Sequence, residues 1–307
     1  MELSRIQEYL RQYQNPEGRL SILLVKKDRN RYEANRPDIS LRVQQEVVDL
    51  LKRRVEAFIS NDQLNQVQFN PSGHLRDEYS VCSYDYVGNF EEVVNLFNTY
   101  QQSQLDPENI SFIAIRLRIN DEYEDPEYVY FFKKHHKLRK IRNGFWMKRV
   151  NDTFDVIDDS ALIPFDGDID AIAFENEIAF FSHYMAERIF NLQAQFTRFA
   201  QYVLEEVRDG RRISNFDQFY DDCLQSGSII RRLTKIQQNS RIIELFHEYF
   251  DNAPEVVDLF DLNIEFNDDL NQIVYEDKDQ LKDITMLMKD AYYRTILADR
   301  KGRDDYN

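Results

Sequence analysis

Residues 133–149, KKHHKLRKIRNGFWMKR, carry eight Lys or Arg and no Asp or Glu. The rest of the chain carries 31 Lys or Arg against 55 Asp or Glu. A like-charged block repels itself, and a chain this acidic has no need of one for solubility. Ammonium and guanidinium groups at this density do one kind of chemistry well: they neutralise phosphates and release counterions. The candidate phosphate contacts are Lys133, Lys134, Lys137, Arg139, Lys140, Arg142, Lys148 and Arg149, with His135 as an added donor. The block lacks the Asn, Gln and Arg arrangement of a recognition helix, so DNA contact without sequence preference is expected. A second reading stands beside this one. From Val150 to Ser182 there are nine acidic residues and no Lys or Arg, and this acidic apron could pair with the basic ribbon inside the chain.

A smaller basic set follows the Ser226-Gly227 step. Arg231, Arg232 and Lys235 lie in IIRRLTKIQ, with Arg231 and Lys235 one helical turn apart and able to meet phosphates jointly. A solvated helix face is the other reading of the same pattern.

The carboxylates offer rival chemistry. Asp166, Asp168, Asp170 and Glu177 occupy positions 1, 3, 5 and 12 of a calcium-loop pattern. Position 6 needs a sharp turn and wants Gly, but holds Ala171, and the flanking segments LIPF and IAFF read as strands. A restriction-type nuclease would need a lysine soon after Glu175 or Glu177, and the next basic residue is Arg188. His135 and His136 are adjacent, so on a strand they point to opposite faces and cannot share a metal. There is no P-loop, dinucleotide-binding, nucleophile-elbow or zinc-protease motif. The expectation is therefore no catalytic residue, no metal, no cofactor and no enzyme, with a metal-dependent nuclease built on the four carboxylates as the alternative.

The bulk numbers bound the architecture. A chain of 307 residues with 42% hydrophobic and 13% aromatic content can bury a core, and 8 Gly with 7 Pro argue against long linkers. Cys82 and Cys223 are far apart and match no metal spacing, which fits a reducing compartment. The start, MELSRIQEYLRQYQ, reads as an amphipathic helix rather than a signal, and no apolar run approaches a membrane span. A cytoplasmic protein follows, associated with membranes only through a partner.

Periodicity places these residues on elements. Ser21 to Lys26 is a buried-strand candidate, and Val67 to Phe69 another. A helix is expected over 41–59, with Val43, Val47, Leu50, Leu51, Val55 and Phe58 at helical spacing, and a second over 89–100 with Asn89 as its cap. In Ile110 to Ile119, Ile113, Ile115, Leu117 and Ile119 share one face opposite Arg116 and Arg118, which is strand alternation. A run of strand candidates follows at 128–133, 144–150, 153–157, 162–165, 170–174 and 178–181, so the basic block surrounds a hairpin-like connection. From residue 182 the pattern turns helical. Met185, Ile189, Leu192, Phe196, Phe199 and Val203 form an a/d stripe ending at Asp209-Gly210. The stripe reads either as a core face or as the seam of a homodimer or higher homo-oligomer. Helices are expected near 214–224, 226–238 and 240–250, a small hairpin within 258–275, and a helix over 278–297. The fold class is α+β: a mixed region with a mainly antiparallel sheet over 1–182 and a mainly helical region with a small hairpin over 183–307.

The order of segments also carries a resemblance. A basic strand region precedes GFWMKRVNDTFDVID, then ALIPFDGDIDAIAFENEIAFFSHYMAERIF, SGSIIRRLTKIQ and AYYRTILADRKGRDD. In this order, with Phe165, Asp166, Asp170, Ala171, Ile172 and Glu187 to Phe190 at the characteristic positions, the chain resembles the KwaB-like family of the Kiwa anti-phage defence system over about residues 125–305. The resemblance implies a bacterial defence protein that binds DNA and works with a membrane protein, KwaA. It carries no catalytic residue and no DNA-contact motif across, so the phosphate contacts above rest on charge. A pure scaffold, whose basic ribbon meets acidic protein, is the remaining alternative.

Overall fold

The computed structural model describes residues 1–13, 17–29, 31–100, 109–120, 126–135, 146–150, 153–157, 167–239, 241–267, 271–295, 298 and 300–304. The chain divides into two compact units. The first comprises Met1–Phe69 with Gly73–Leu192, the second Asn70–Ser72 with Gln193–Asn307.

The first unit is built on an eight-stranded sheet. In spatial order its strands are β2 (Arg31–Asn35), β1 (Leu20–Asp28), β5 (Phe112–Arg118), β6 (Tyr128–Lys134), β9 (Ala171–Phe174), β10 (Glu177–Phe180), β4 (Glu78–Ser83) and β3 (Asn65–Gln68). Every pairing is antiparallel except that of β3 with β4. The fold is α+β, as composition and periodicity imply. The central strands are apolar on both faces because helices cover both. On one face, Ile22, Leu24, Ile113, Ile115, Leu117, Val129, Phe131 and Ile172 join the buried faces of α1 (Leu3–Gln12) and α2 (Leu41–Ile59). The alternate residues turn the other way. There Phe132 meets Phe90 of α3 (Phe90–Thr99) at 6.4 Å between ring centroids and Phe190 of α4 (His183–Phe190) at 5.0 Å, in edge-to-face geometry.

Local chemistry explains several boundaries. Ser40 caps α2 by accepting from the Val43 N–H. Asn89 precedes α3 but does not cap it; its amide donates to the Tyr32 hydroxyl at 3.3 Å. The β9–β10 hairpin turns on Glu175 and Asn176, both left-handed at φ 47° and 67°, the geometry of a two-residue hairpin loop. This turn contains no glycine and is silent in the sequence pattern. The first unit runs on to Leu192 and so includes α4, which the packing of Phe190 on Phe132 and Phe180 explains. A separate hairpin joins β7 (Trp146–Val150) to β8 (Thr153–Ile157).

The second unit is mainly helical: α5 (Leu192–Asp209), α6 (Phe216–Gln225), α7 (Gly227–Gln237), α8 (Arg241–Glu248), α9 (Ala253–Phe260) and α10 (Leu281–Met288). Two small hairpins, β11 (Glu265–Asn267) with β12 (Gln272–Val274) and β13 (Tyr292–Arg294) with β14 (Lys301–Arg303), complete it. The helix expected over 278–297 is shorter. Asp290 adopts φ 53°, and the Ala291 N–H donates back to the Met286 carbonyl, a left-handed helix stop that leads into β13.

The apolar stripe from Met185 to Val203 is not one helix. Asn191, at φ 54°, ends α4 and separates it from α5. Ile189, Leu192, Phe196 and Val203 are fully buried within the chain, while Met185 and Phe199 are half-buried. Phe196 is 0% exposed, and its carbonyl accepts from the Thr234 hydroxyl of α7. Phe196→Glu would place a carboxylate in that apolar interior, at a cost of several kcal/mol. Circular dichroism of Phe196→Glu should show loss of cooperative folding. A folded variant of smaller mass by light scattering would instead assign the stripe to a subunit seam.

Candidate phosphate-binding site

Strand alternation decides where the basic block starts. Lys133 and Lys134 are the last residues of β6, so their side chains face opposite sides of a sheet covered on both. Lys133 turns toward the α1–α2 face, and Lys133 and His135 are each 7% exposed. Burial lowers the Lys133 ammonium below the usual lysine range, opposed by Asp168 and Asp170, with Arg54 of α2 adding to the lowering. Lys134 turns to the α3–α4 face and stays half-buried.

On that face Lys134 is not alone. Its ammonium donates to the Ser111 carbonyl at 2.5 Å. Lys27, at the end of β1, takes its backbone N–H to the Ser111 hydroxyl at 3.0 Å and its ammonium to the Arg188 carbonyl at 2.5 Å. The Arg188 guanidinium lies over the Tyr184 ring, 4.1 Å from its centroid, and donates to the Tyr184 hydroxyl. Three cations from β1, β6 and α4 therefore converge at one end of the sheet. The acceptors that fix the two lysines, the Arg188 and Ser111 carbonyls, are neutral. The electrostatics register the crowding. Burial, then Lys134, lowers Lys27 from the ordinary 10.5 to about 8. Burial, then Arg188, lowers Lys134, with Asp170 opposing.

The end of α4 supplies part of the scaffold. Its last carbonyls have no intrahelical partners. Lys27 satisfies that of Arg188, and the Tyr32 hydroxyl satisfies that of Ile189 at 3.0 Å. A cation at a helix C-terminus is also favoured by the helix dipole. Sequence reading missed Lys27 and Arg188. They stand 161 positions apart, each in mixed-charge surroundings, and the available signal was the alternation Leu23, Val25, Lys27 on β1.

Among the described residues, the acidic side chains of this stretch serve separate contacts. Asp170 joins three strands: its N–H donates to the Phe132 carbonyl at 2.9 Å, its carbonyl accepts from Phe181 and Ser182, and its carboxylate accepts the Lys134 N–H at 2.6 Å. Asp168 pairs with Arg54 at 3.3 Å. Glu177 opens β10 opposite Phe174, whereas Asp170 precedes Ala171, the partner of Phe180. The two carboxylates thus sit at opposite ends of the hairpin, roughly 13 Å apart at strand rise. Asp166 lies outside the described residues. Among the described residues no group of three or more His, Cys, Asp or Glu side chains could hold a metal ion.

The other expected contacts divide in the same way. Lys137, Arg139, Lys140 and Arg142 lie outside the described residues. Lys148 and Arg149 fall on β7, paired with Asp155 and Phe154 of β8 in register. In the second unit Arg231 and Lys235 are half-buried on α7. Arg232 is 8% exposed and donates to the Thr285 hydroxyl of α10 at 2.9 Å, so it faces the helix packing rather than solvent. Burial lowers Lys235, and Lys289 adds to the lowering while Asp304 opposes it. Among the described residues no helix is long and apolar enough to cross a membrane.

A family model described as Kiwa protein KwaB-like matches residues 107–298, more than half of the chain. No curated protein and no solved structure matches.

The role of Asp170 is testable through stability. Asp170→Ala leaves the Lys134 N–H without its acceptor, a loss of about 1–3 kcal/mol for a buried donor. Thermal unfolding should shift down clearly for Asp170→Ala and much less for Asp170→Asn, which keeps a carbonyl oxygen. Equal melting of both variants and the parent would contradict the assignment.

Proposed function

The chain belongs to the KwaB-like family of Kiwa proteins, and from that premise we propose that it acts in anti-phage defence by binding DNA through its phosphates, without sequence preference and without catalysis. The observation that carries the reading is the convergence of Lys134 with Lys27 and Arg188 at the foot of the basic block. Where acidic residues outnumber basic ones by 55 to 39, a polyanion is repelled from most of the surface. Contact is then confined to local cationic ground. The block 133–149 and this cluster supply such ground, and Arg231 with Lys235 of the second unit are further candidate contacts. Lys133 and His135 in the first unit and Arg232 in the second are buried and contribute to packing rather than meeting the ligand. Membership of the Kiwa family supports a partner protein, and we propose that the chain works beside the membrane protein KwaA, is recruited to membranes by it, and self-associates as a dimer or higher oligomer.

The test is a titration with duplex DNA at several salt concentrations, with and without magnesium, scored for both shift and cleavage. Log affinity should fall linearly with log salt, and each phosphate contact removed should reduce the slope by ~0.9. Replacing Lys134, Lys137, Arg139, Lys140 and Arg142 with Ala should weaken binding to all sequences alike. Unchanged affinity and slope in that folded variant would refute the contact assignment, and magnesium-dependent cleavage would replace it with the nuclease reading.

A further inference from the structure

Lys27, Lys134 and Arg188 come from three elements, yet their charged groups meet on one face of the sheet. Two of the three are held in place by backbone carbonyls, at 2.5 Å in each case. Their positions therefore do not depend on a ligand, which is the preorganisation an oxyanion site needs. Arg188 presents the donors that its stacking on Tyr184 leaves over, in the planar fork that suits phosphate oxygens. Around Lys27 stand Lys134 of β6, Arg188 of α4 and the Tyr32 ring of β2, 5.8 Å from the ammonium. Glu92 of α3 acts on Tyr32, and Asp170 acts on Lys134 while its carboxylate accepts the Lys134 N–H. Among the described residues, cations thus outnumber the carboxylate that reaches them, and the cluster holds net positive charge in partly buried ground.

We infer that Lys27, Lys134 and Arg188 form a discrete phosphate-binding site in which the Lys27 ammonium is a switchable contact. This deepens the DNA-binding reading and rests on it for the source of the phosphate, but the site itself takes a phosphate group from any source. The pH dependence has a definite sign. Lys27 releases its proton in the folded protein near pH 8, well below the ordinary 10.5. Its contact with phosphate is complete below that value and is lost as pH rises through it. A bound phosphate stabilises the ammonium, so the loss in the complex falls above about 8. An arginine in its place stays charged throughout.

The experiment uses the full chain, random-sequence duplex DNA and inorganic phosphate as separate probes, at about pH 7 and about pH 9.5, on the parent, Lys27→Arg and Lys27→Met. Circular dichroism verifies the fold of each, because Lys27 also caps α4. For DNA, the parent's log–log salt slope should drop by ~0.9 between the two pH values. Lys27→Arg should drop less, and Lys27→Met should show the lower slope at both. For inorganic phosphate, calorimetry at about pH 7 should give binding that Lys27→Met weakens about tenfold, or ~1.4 kcal/mol. If DNA binds but the parent's slope loss matches that of Lys27→Arg, the site is overturned while the DNA reading survives on the rest of the block. If DNA does not bind but phosphate does, with the expected loss in Lys27→Met, the DNA reading fails and the phosphate site stands. Should neither probe bind, both are refuted.

Discussion

β6 is the fourth strand of eight, with apolar helices over both of its faces. A strand so placed must send successive side chains to opposite sides, and the hydrogen-bonded ladder with β5 and β9 leaves it no freedom to slip. The run Tyr128 to Phe132 meets this demand with aromatic and aliphatic residues. The first residues of the basic block continue the same strand and are subject to the same rule. That constraint divides Lys133 from Lys134: one ammonium goes under α2 with Asp168 and Arg54, the other joins Lys27 and Arg188. Asp170 locks the division, since its carboxylate accepts the Lys134 N–H and its carbonyl accepts from the end of β10.

Much of this architecture was legible from the residues. The alternation Ile113, Ile115, Leu117 placed β5 and its buried face, and the helical spacing from Val43 to Phe58 placed α2 at its observed bounds. What escaped had physical reasons. β2, with the sequence RYEAN, is an edge strand and needs no apolar alternation. The β9–β10 turn uses left-handed Glu175 and Asn176 without a glycine to announce it. The Met185–Val203 stripe looked continuous because Asn191 breaks the helix while the apolar spacing carries across the break.

The candidate site was half legible. Charge density pointed to the block, and Lys134 could be read from it. The period of two was available for the same stretch, and applied to it would have set Lys133 apart. Lys27 and Arg188 could not be found by density, because the sheet brings them together from remote positions. Their assembly also explains how an acidic chain holds a cationic site. The lysines are fixed on carbonyls at the end of α4 and at Ser111, and among the described residues Asp170 alone acts against their positive charge. The balance is narrow at Lys27. The helix end favours its ammonium, while burial and Lys134 oppose it and bring it to about 8.

The central claim is that strand geometry hands phosphate contact to Lys134 and Lys27 and withholds it from Lys133. Lysine acetylation read by mass spectrometry, with and without duplex DNA, addresses it residue by residue. The account predicts that Lys134 and Lys27 are labelled in the free protein and protected by DNA, while Lys133, at 7% exposure, stays unlabelled in both. DNA-dependent protection of Lys133, or labelling of Lys134 that DNA leaves unchanged, would contradict it.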